Sequence, residues 1–165
     1  AQDYRLRTLE QLEIFVVENE GKSIEKLKSN FSELTNNEYE ENENIQILGR
    51  KIKTIKLSKG SVWMSFQEIC EGPRSAKDYI EVCSEFHTVF VSGVPIMNEN
   101  NSDAARRFIA LVDECYERNV NLILSLEANL NEIYRGNRLA EPYKRTLSRL
   151  EEMRSREYLS RPHLI

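Results

Sequence analysis

The stretch from residue 86 to residue 128 constrains the fold more than any other part of the chain. It begins with residues 86–95, a nearly continuous apolar run rich in β-branched and aromatic residues, which is typical of a strand buried on both faces. Ser102 is placed to cap a following helix. The apolar side chains of that helix recur at the spacing of one helical face; they are Phe108, Leu111, Val112, Cys115 and Tyr116. A second short apolar strand is predicted over residues 120–126.

A strand, a helix and a strand of these lengths form a right-handed crossover between parallel strands. The predicted fold class is therefore α/β, of mixed α+β character, with a parallel strand-helix-strand core, an antiparallel β meander and a C-terminal helix. The length of 165 residues suits one compact domain or a fragment of a larger one. We divide it into residues 1–35, 36–66 and 67–165.

The first part, residues 1–35, combines β-like stretches with a helix. Alternating apolar residues between positions 4 and 17 predict two strands joined by a tight turn. Gly21-Lys22-Ser23 matches the end of a phosphate-binding P-loop, but Val16 stands where that loop needs its first glycine. We therefore interpret Gly21 as a strand breaker and Ser23 as the cap of a helix that ends near Thr35.

The second part, residues 36–66, is an acidic linker followed by a basic, β-rich region. The linker, residues 36–44, is too polar to bury and is predicted to be a surface loop. The segments 45–48, 51–57 and 61–66 predict a meander of antiparallel strands with Trp63 in the core. Its basic side chains are Arg50, Lys51, Lys53, Lys56 and Lys59. They are interpreted as a protected sheet edge, with a surface for an anionic partner as the alternative.

The third part, residues 67–165, holds the α/β core and the C-terminal helix. Ser75 and Asp78 resemble a capping box at the start of a helix. Gly136 is predicted to end a short turn or helix that begins at Asn129. Pro142 fits the first position of the last helix. The predicted inward-facing residues of that helix are Tyr143, Leu147 and Leu150.

Composition narrows the classes of partner. Charged residues make up 30% of the chain and the net charge is -4, so no global positive field favours nucleic acid, and no nucleic acid partner is expected. No apolar run approaches the roughly 20 residues of a membrane span, and no signal-peptide pattern opens the chain. We expect a cytoplasmic protein with at most peripheral membrane association.

The side chains suited to catalysis are few. Cys70, Cys83 and Cys115 are widely spaced and form no Cys-x-x-Cys pair, so they are predicted to be reduced core thiols. His87 and His163 are the only histidines, one at a predicted buried strand and one near the end of the sequence, so no histidine-based metal cluster or nucleophile-base pair is visible. His87 is predicted at the end of a buried strand, bonded to the backbone. We expect no metal site and no catalytic residue within this chain.

Arginines near helix ends are the remaining candidates for a binding site. They are Arg74, the Arg106-Arg107 pair, and Arg145 with Arg149. The last two are four residues apart and share one face of the predicted helix. A guanidinium fork matches phosphate oxygens, so phosphate contact is one interpretation. The other is a solvated helix face or pairing with a carboxylate of the chain, such as Glu152.

Six blocks of the sequence match a known pattern in its order. They are Asp3-Tyr4-Arg5-Leu6-Arg7, Pro73-Arg74-Ser75-Ala76-Lys77-Asp78-Tyr79, Phe86-His87-Thr88-Val89, Val94-Pro95-Ile96-Met97, the ten residues from Ala105 to Glu114, and the nine from Arg145 to Met153. The block from Ala105 to Glu114 contains the specific Arg-Arg-Phe sequence. Over nearly the whole chain these blocks resemble the ZapE family of P-loop AAA+ ATPases, also called AFG-like or LACE-type. The chain departs from the family at Pro142, where an aromatic is usual, and residues 36–66 have no clear counterpart.

The resemblance implies ATP hydrolysis with magnesium in an intact protein. In that family the phosphate-binding loop, the metal-binding acidic strand and the first sensor precede the Asp-Tyr-Arg block. The chain therefore resembles the C-terminal portion, and its first expected partner is the missing N-terminal ATPase core. Without a Walker A loop or Walker B acids the chain alone is expected to be inactive.

The resemblance also implies partners and a location. These are a protein client such as the tubulin-like division protein, a homo-oligomer, and a cytoplasmic position at the bacterial division site, with mitochondria as the alternative. Arg145 and Arg149 become candidate phosphate sensors, and Arg106, Arg107 and Arg5 are weaker candidates. Ser92-Gly93 stands where Walker B acids would be, so the second half resembles a decayed copy of an ATPase core. The alternative function is a non-catalytic module for protein interaction or oligomerisation.

Overall fold

A sheet with helices around it forms the core of the molecule. The computed structural model describes the backbone of residues 2–165 and the side chains of residues 4–165. Ala1 and the side chain of Asp3 in the first sequence block lie outside the described residues. The helices are α1 (Gln2–Gln11), α2 (Ser23–Thr35), α3 (Phe66–Cys70), α4 (Ala76–Glu85), α5 (Ser102–Glu117), α6 (Ala140–Met153) and α7 (Arg156–Leu159). The strands are β1 (Phe15–Val17), β2 (Glu40–Glu41), β3 (Asn44–Ile47), β4 (Arg50–Lys53), β5 (Lys56–Leu57), β6 (Ser61–Ser65), β7 (Thr88–Val94) and β8 (Asn121–Leu126).

The main sheet has six strands in the order β1-β8-β7-β6-β5-β2. The first four strands run parallel, and β5 and β2 complete the sheet with antiparallel pairings. Strand β7 lies between β8 and β6, and Val89, Phe90 and Val91 have no exposed surface. The predicted α/β class and the central position of this strand are therefore confirmed.

The predicted strand-helix-strand unit is present as β7, α5 and β8. Val89 aligns with Leu122 in a parallel ladder, as the crossover rule requires. Helix α5 buries Phe108, Leu111, Val112 and Cys115 against the core. Its start differs from the prediction: Asn101 occupies the cap position and Ser102 is the first helical residue, because a 3-10 turn at Glu99–Asn101 leads into the helix.

The N-terminal part corrects one prediction. Two strands joined by a turn were predicted over residues 4–17, but residues 2–11 form α1 and only β1 is a strand. Leu6 and Leu9 are three residues apart, which is also the spacing of a helical face, and Leu9 is buried. Helix α2 spans the predicted residues, but Lys22 occupies its cap position and Ser23 lies inside the helix.

The basic region is divided between two sheets. Strands β3 and β4 form a separate antiparallel hairpin, while β5 and β6 belong to the main sheet. The predicted antiparallel pairing is confirmed in β3–β4 and in β5–β6, but the strands are divided into two pairs, because β4 and β5 lie in different sheets. The hairpin packs through Ile45, Ile47 and Ile52, all buried. Trp63 is fully buried, as predicted.

The C-terminal region also differs in detail from the prediction. Helix α6 begins at Ala140, so Pro142 is its third residue and not its first. Tyr143 and Leu150 are buried, and Leu147 is partly buried against the core. The short helix α7 was not predicted. The segment before Gly136 forms only a 3-10 turn at Leu130–Glu132, after which Tyr134 bridges to Met97.

Candidate functional site

A crevice opens where the parallel strands β1, β8, β7 and β6 end. In open α/β sheets ligands bind at this carboxyl edge. The crevice contains a cavity of about 230 Å³. Its lining residues are Glu18, Ser23, Gly93, Val94, Pro95, Ser125, Leu126 and Glu127. An adjoining groove adds Ile24, Ser65, Gln67, Glu71 and Ser92.

The charge of this crevice is negative. Three of the lining residues are the carboxylates Glu18, Glu71 and Glu127, and no lysine or arginine is among the lining residues. Like charges repel, most strongly where solvent is partly excluded. The crevice is therefore in the usual place for a nucleotide but has the wrong charge for phosphate groups.

Several polar groups of the crevice are bonded to one another or to the backbone. The Ser23 hydroxyl donates to the Glu18 carboxylate. The Gly93 N–H donates to Ser125 Oγ at 2.8 Å, and the Ile96 N–H donates to Glu127 Oε1 at 2.9 Å. The crevice therefore has few polar groups left to orient a ligand.

Strand β7 has no acid at its carboxyl end. Ser92 stands there, and its Oγ accepts the Trp63 Nε1–H at 3.0 Å in the interior. Gly93 follows with φ of 76°, in the left-handed region that favours glycine. Serine and glycine offer no carboxylate to a magnesium ion, which prefers such oxygen ligands.

Glu18 is the most strongly bonded carboxylate of the crevice. It directly follows β1, and its own N–H donates to Leu126 O at 2.7 Å. The pKa of Glu18 is lowered, first by the hydrogen bond from the Ser23 hydroxyl and then by backbone N–H groups of Ser23, Asn19 and Gly21. The carboxylate is therefore held in its ionised form at the start of α2.

The candidate Arg149 is paired inside the molecule. Its Nη1 lies 2.5 Å from Asp113 Oδ1 of α5, and its guanidinium lies 4.9 Å from the ring centre of Tyr116. The carboxylate suggested by sequence, Glu152, has other partners: the Tyr116 hydroxyl at 2.9 Å and Arg161 Nη2 at 2.9 Å. Pairing with a carboxylate of the chain is thus present, through Asp113.

Aromatic rings extend this pairing into a stack. Tyr116 and Tyr158 lie nearly parallel, with ring centres 6.0 Å apart and planes at 14°. Arg149 covers the Tyr116 ring, and Arg161 lies 5.2 Å from the ring centre of Tyr158. Such guanidinium-aromatic contacts stabilise packed helices. We call this arrangement the arginine-tyrosine stack; it joins α5, α6 and α7.

Arg145 and Arg106 are the exposed arginines near this stack. Arg149 of α6 pairs with Asp113 of α5, and three residues further along each helix Glu152 is bonded to Tyr116. The two helices therefore run parallel. Arg106 lies seven residues before Asp113, on the same face of α5. Neither Arg106 nor Arg145 has a side-chain partner among the described residues, and both are exposed.

The weaker candidates Arg107 and Arg5 lie apart from this face. Arg107 Nε donates to Arg74 O at 3.2 Å and its Nη1 to Cys70 O at 3.4 Å, which ties α5 to the α3–α4 connection. Arg5 lines a different cavity, at the opposite edge of the sheet beside His87. Burial lowers the pKa of the Arg5 guanidinium. The structure does not bring the five candidate arginines together.

Two further basic side chains have structural partners. Arg50 makes a bidentate contact of 2.6 Å with both oxygens of the fully buried Asp78, which also accepts the Ser75 N–H in the predicted capping box. Lys56 lies 3.9 Å above the ring centre of Tyr39. The first contact fastens the β3–β4 hairpin to α4, and the second joins β5 to Tyr39, the residue before the edge strand β2.

Other catalytic arrangements have no support in the described part of the chain. No group of three or more His, Cys, Asp or Glu side chains is arranged there to hold a metal ion. The three cysteines are free and buried, as predicted, with Cys83 Sγ 3.5 Å from Cys115 Sγ. In the same residues no helix has both the length and the apolar character needed to cross a bilayer.

The sequence analysis missed Glu18, Asp113 and Tyr116. Asp113 stands in one of the recognised blocks and Tyr116 lies two residues beyond it, and their spacing from Arg106 could have placed them on one helical face. The contact of Glu18 with Ser23 depends on the bend after β1, and no periodic pattern signals it. The match of Gly21-Lys22-Ser23 to a P-loop end was set aside although it lies at this bend.

The comparisons with known proteins point to one family. Residues 1–162 match the family model described as AFG1-like ATPase. The cell division protein ZapE of Escherichia coli strain K12 is 41% identical over 162 residues, which is 98% of this chain and 43% of that protein. The lactation elevated protein 1 homolog B of Danio rerio is 34% identical over 90 residues, which is 54% of this chain and 18% of that protein.

The chain spans less than half of the length of the curated relatives it matches. No solved structure gives a significant match. The family resemblance drawn from the sequence blocks is confirmed by the family model and by the bacterial relative.

Proposed function

Because the chain belongs to the AFG1-like ATPase family, we propose that it is the C-terminal portion of an AAA+ ATPase. Its phosphate-binding loop and magnesium ligands would lie in the remainder of a longer protein. ATP with Mg²⁺ supplies the phosphoryl chemistry there, and this chain supplies an arginine for the phosphates together with a surface for oligomerisation. The negative crevice supports this division of labour, since no lysine or arginine is among its described lining residues to hold phosphate.

The observation that carries the proposal is the exposure of Arg145. It lies one helical turn before Arg149 on α6, and its guanidinium has no side-chain partner among the described residues. An exposed guanidinium fork can reach phosphate oxygens of a nucleotide held by another part of the protein. We assign phosphate contact to Arg145, and Arg106, which is also exposed, is the second candidate. Arg149, held by Asp113, is the positioning residue that fixes α6.

The wider role follows the named bacterial relative. ZapE of Escherichia coli is a cell division protein. We propose a cytoplasmic location at the division site, a protein client such as the tubulin-like division protein, and assembly as a homo-oligomer. A mitochondrial setting is the alternative location, as the family resemblance implies.

The test compares two arginines one turn apart in the intact protein. Arg145→Ala is expected to lower ATP turnover by a factor of about ten or more, because a phosphate-contacting arginine stabilises transition-state charge. Its free energy of unfolding should change by no more than about 0.5 kcal/mol. Arg149→Ala removes an ion pair and a ring contact, and should cost about 1–2 kcal/mol. Steady-state phosphate release and urea unfolding measure both quantities.

Arg145→Lys provides the matched control, since it keeps the charge but not the bidentate fork. Turnover intermediate between wild type and Arg145→Ala supports phosphate contact. Wild-type turnover in Arg145→Ala would overturn the assignment.

A second candidate function is a non-catalytic module for protein interaction or oligomerisation. The internal partners of Arg149 and Arg107 favour it, because they assign these two arginines to helix packing. It predicts unchanged turnover in Arg145→Ala, with weaker self-association or client binding.

A further inference from the structure

The turn between β1 and α2 lies in the position of a phosphate-binding loop. Strand β1 is parallel to β8, the turn opens at the carboxyl edge of the sheet, and Gly21-Lys22-Ser23 leads directly into a helix of 13 residues. A phosphate-binding loop needs this strand-turn-helix context, with backbone N–H groups and a hydroxyl directed at the anion. The structural context is therefore present although the first glycine of the motif is not.

An anion already occupies this turn, and it belongs to the chain. The Glu18 carboxylate accepts a hydrogen bond from the Ser23 hydroxyl, and the nearby backbone N–H groups of Ser23 and Gly21 help to lower its pKa. The Lys22 cap position has no side-chain hydrogen bond to the helix start, and Glu18 adds to Glu25 of the first turn a second negative charge near the positive end of α2.

Lys22 does not take the position that a P-loop lysine requires. Its Nζ lies 3.6 Å from Glu20 Oε2, and the side chain is 72% exposed. The groups facing the turn are also engaged: Ser125 by the Gly93 N–H and Glu127 by the Ile96 N–H. A phosphate entering here would have to displace the Glu18 carboxylate and would be repelled by the Glu127 carboxylate. No lysine side chain is placed there to bind it.

We propose that the Glu18 carboxylate takes the place of a bound phosphate. It closes the β1–α2 turn and so holds this part of the crevice in one conformation, an arrangement that we call the lock. The turn keeps the anion-binding geometry of a nucleotide fold, and the tethered carboxylate fills it permanently. This inference concerns a conformational device within the chain, and it is independent of the role proposed for Arg145.

The first measurement uses the wild-type chain and needs no variant. Glu18 should titrate below an ordinary glutamate in a carboxyl-detected NMR titration, and the amide signals of Gly21 and Ser23 should shift with the same midpoint. Added inorganic pyrophosphate should change the chemical shifts of those two amides no more than sodium sulfate of equal ionic strength does. Ordinary titration of Glu18, or specific pyrophosphate shifts at Gly21 and Ser23, would overturn the proposal.

The second measurement is a double-mutant cycle. Glu18→Ala and Ser23→Ala should each lower Tm, by about 2–4 °C as for the loss of a helix cap. Together they should lower it by no more than the larger single effect, because both remove one interaction. Glu20→Gln is the control: Glu20 is exposed, lies two residues away and forms an exposed ion pair with Lys22, so the Tm of this variant should equal that of wild type. Additive losses, or a stable Glu18→Ala variant, would contradict the lock.

Discussion

His87 directly precedes β7 and is the titratable group most affected by burial at that edge of the sheet. Its Nδ1 lies 2.7 Å from Thr88 Oγ1, where sequence analysis predicted a backbone partner. A Cβ on Gly60 would collide with the imidazole ring, so the glycine makes room for it. Burial lowers the pKa of His87 to about 4, with smaller effects of the same sign from Arg5 and His163.

This pKa predicts a pH dependence of stability. The unfolded state takes up a proton near pH 6.5, whereas the folded state does so only at about pH 4. Unfolding therefore binds protons within that window, and stability is lost as the pH falls through it. The measurement is Tm from pH 7 down to about pH 4, for wild type and for His87→Gln.

Carboxylates titrate in the lower part of the same range, so the comparison between the two proteins isolates the histidine. The curve of His87→Gln should be flatter. Parallel curves would show that His87 titrates normally in the folded state.

At the scale of secondary structure elements, a single buried carboxylate of α4 pairs with the β3–β4 hairpin, which also packs through buried isoleucines. Asp78 has no exposed surface, and Arg50 is its bidentate partner. The five basic residues of this region therefore have different roles: Arg50 and Lys56 are structural, and Lys51, Lys53 and Lys59 are exposed. Only the exposed three remain available for edge protection or for an anionic partner.

Two charge reversals test this division. Arg50→Glu with Lys56→Glu should destabilise the fold by at least about 3 kcal/mol, because the buried Asp78 loses its partner and gains a like charge. Lys51→Glu with Lys59→Glu should change the free energy of unfolding by no more than about 0.5 kcal/mol. Urea unfolding of both variants provides the comparison. Equal effects would mean that the Arg50–Asp78 contact does not hold the hairpin.

The same elements show what the sequence could predict. Helix α2 and the Ser75–Asp78 capping box follow from local signals, and both are confirmed. Helix α1 was missed because apolar residues in so short a segment fit two periods. The division of the basic region between two sheets was missed because β5 pairs with β2, on the far side of the β3–β4 hairpin in the sequence, and this pairing is non-local. For the same reason spacing placed Arg145 and Arg149 on one face, but it could not identify Asp113 as a partner.

For the molecule as a whole, we predict that the 165-residue chain neither hydrolyses ATP nor binds it tightly. Three carboxylates and no basic side chain line the crevice, and β7 ends without an acid. Phosphate-release assays and calorimetry with ATP and Mg²⁺ measure the two properties. A contaminating ATPase is the main risk, so the assay is repeated after a further purification step. Turnover that stays constant per mole of chain through that step would refute the prediction.

The pairing of β1 with β8 has a consequence for synthesis of the chain. Phe15 aligns with Leu124, so the two strands meet across roughly a hundred residues of sequence, a separation that slows folding. While the ribosome is still making the intervening residues, Phe15-Val16-Val17 has no neighbouring strand. During that interval the nascent chain exposes an apolar β-forming segment, of the kind that chaperones shield and that associates with other chains. Strand β1 is therefore among the last elements to join the sheet.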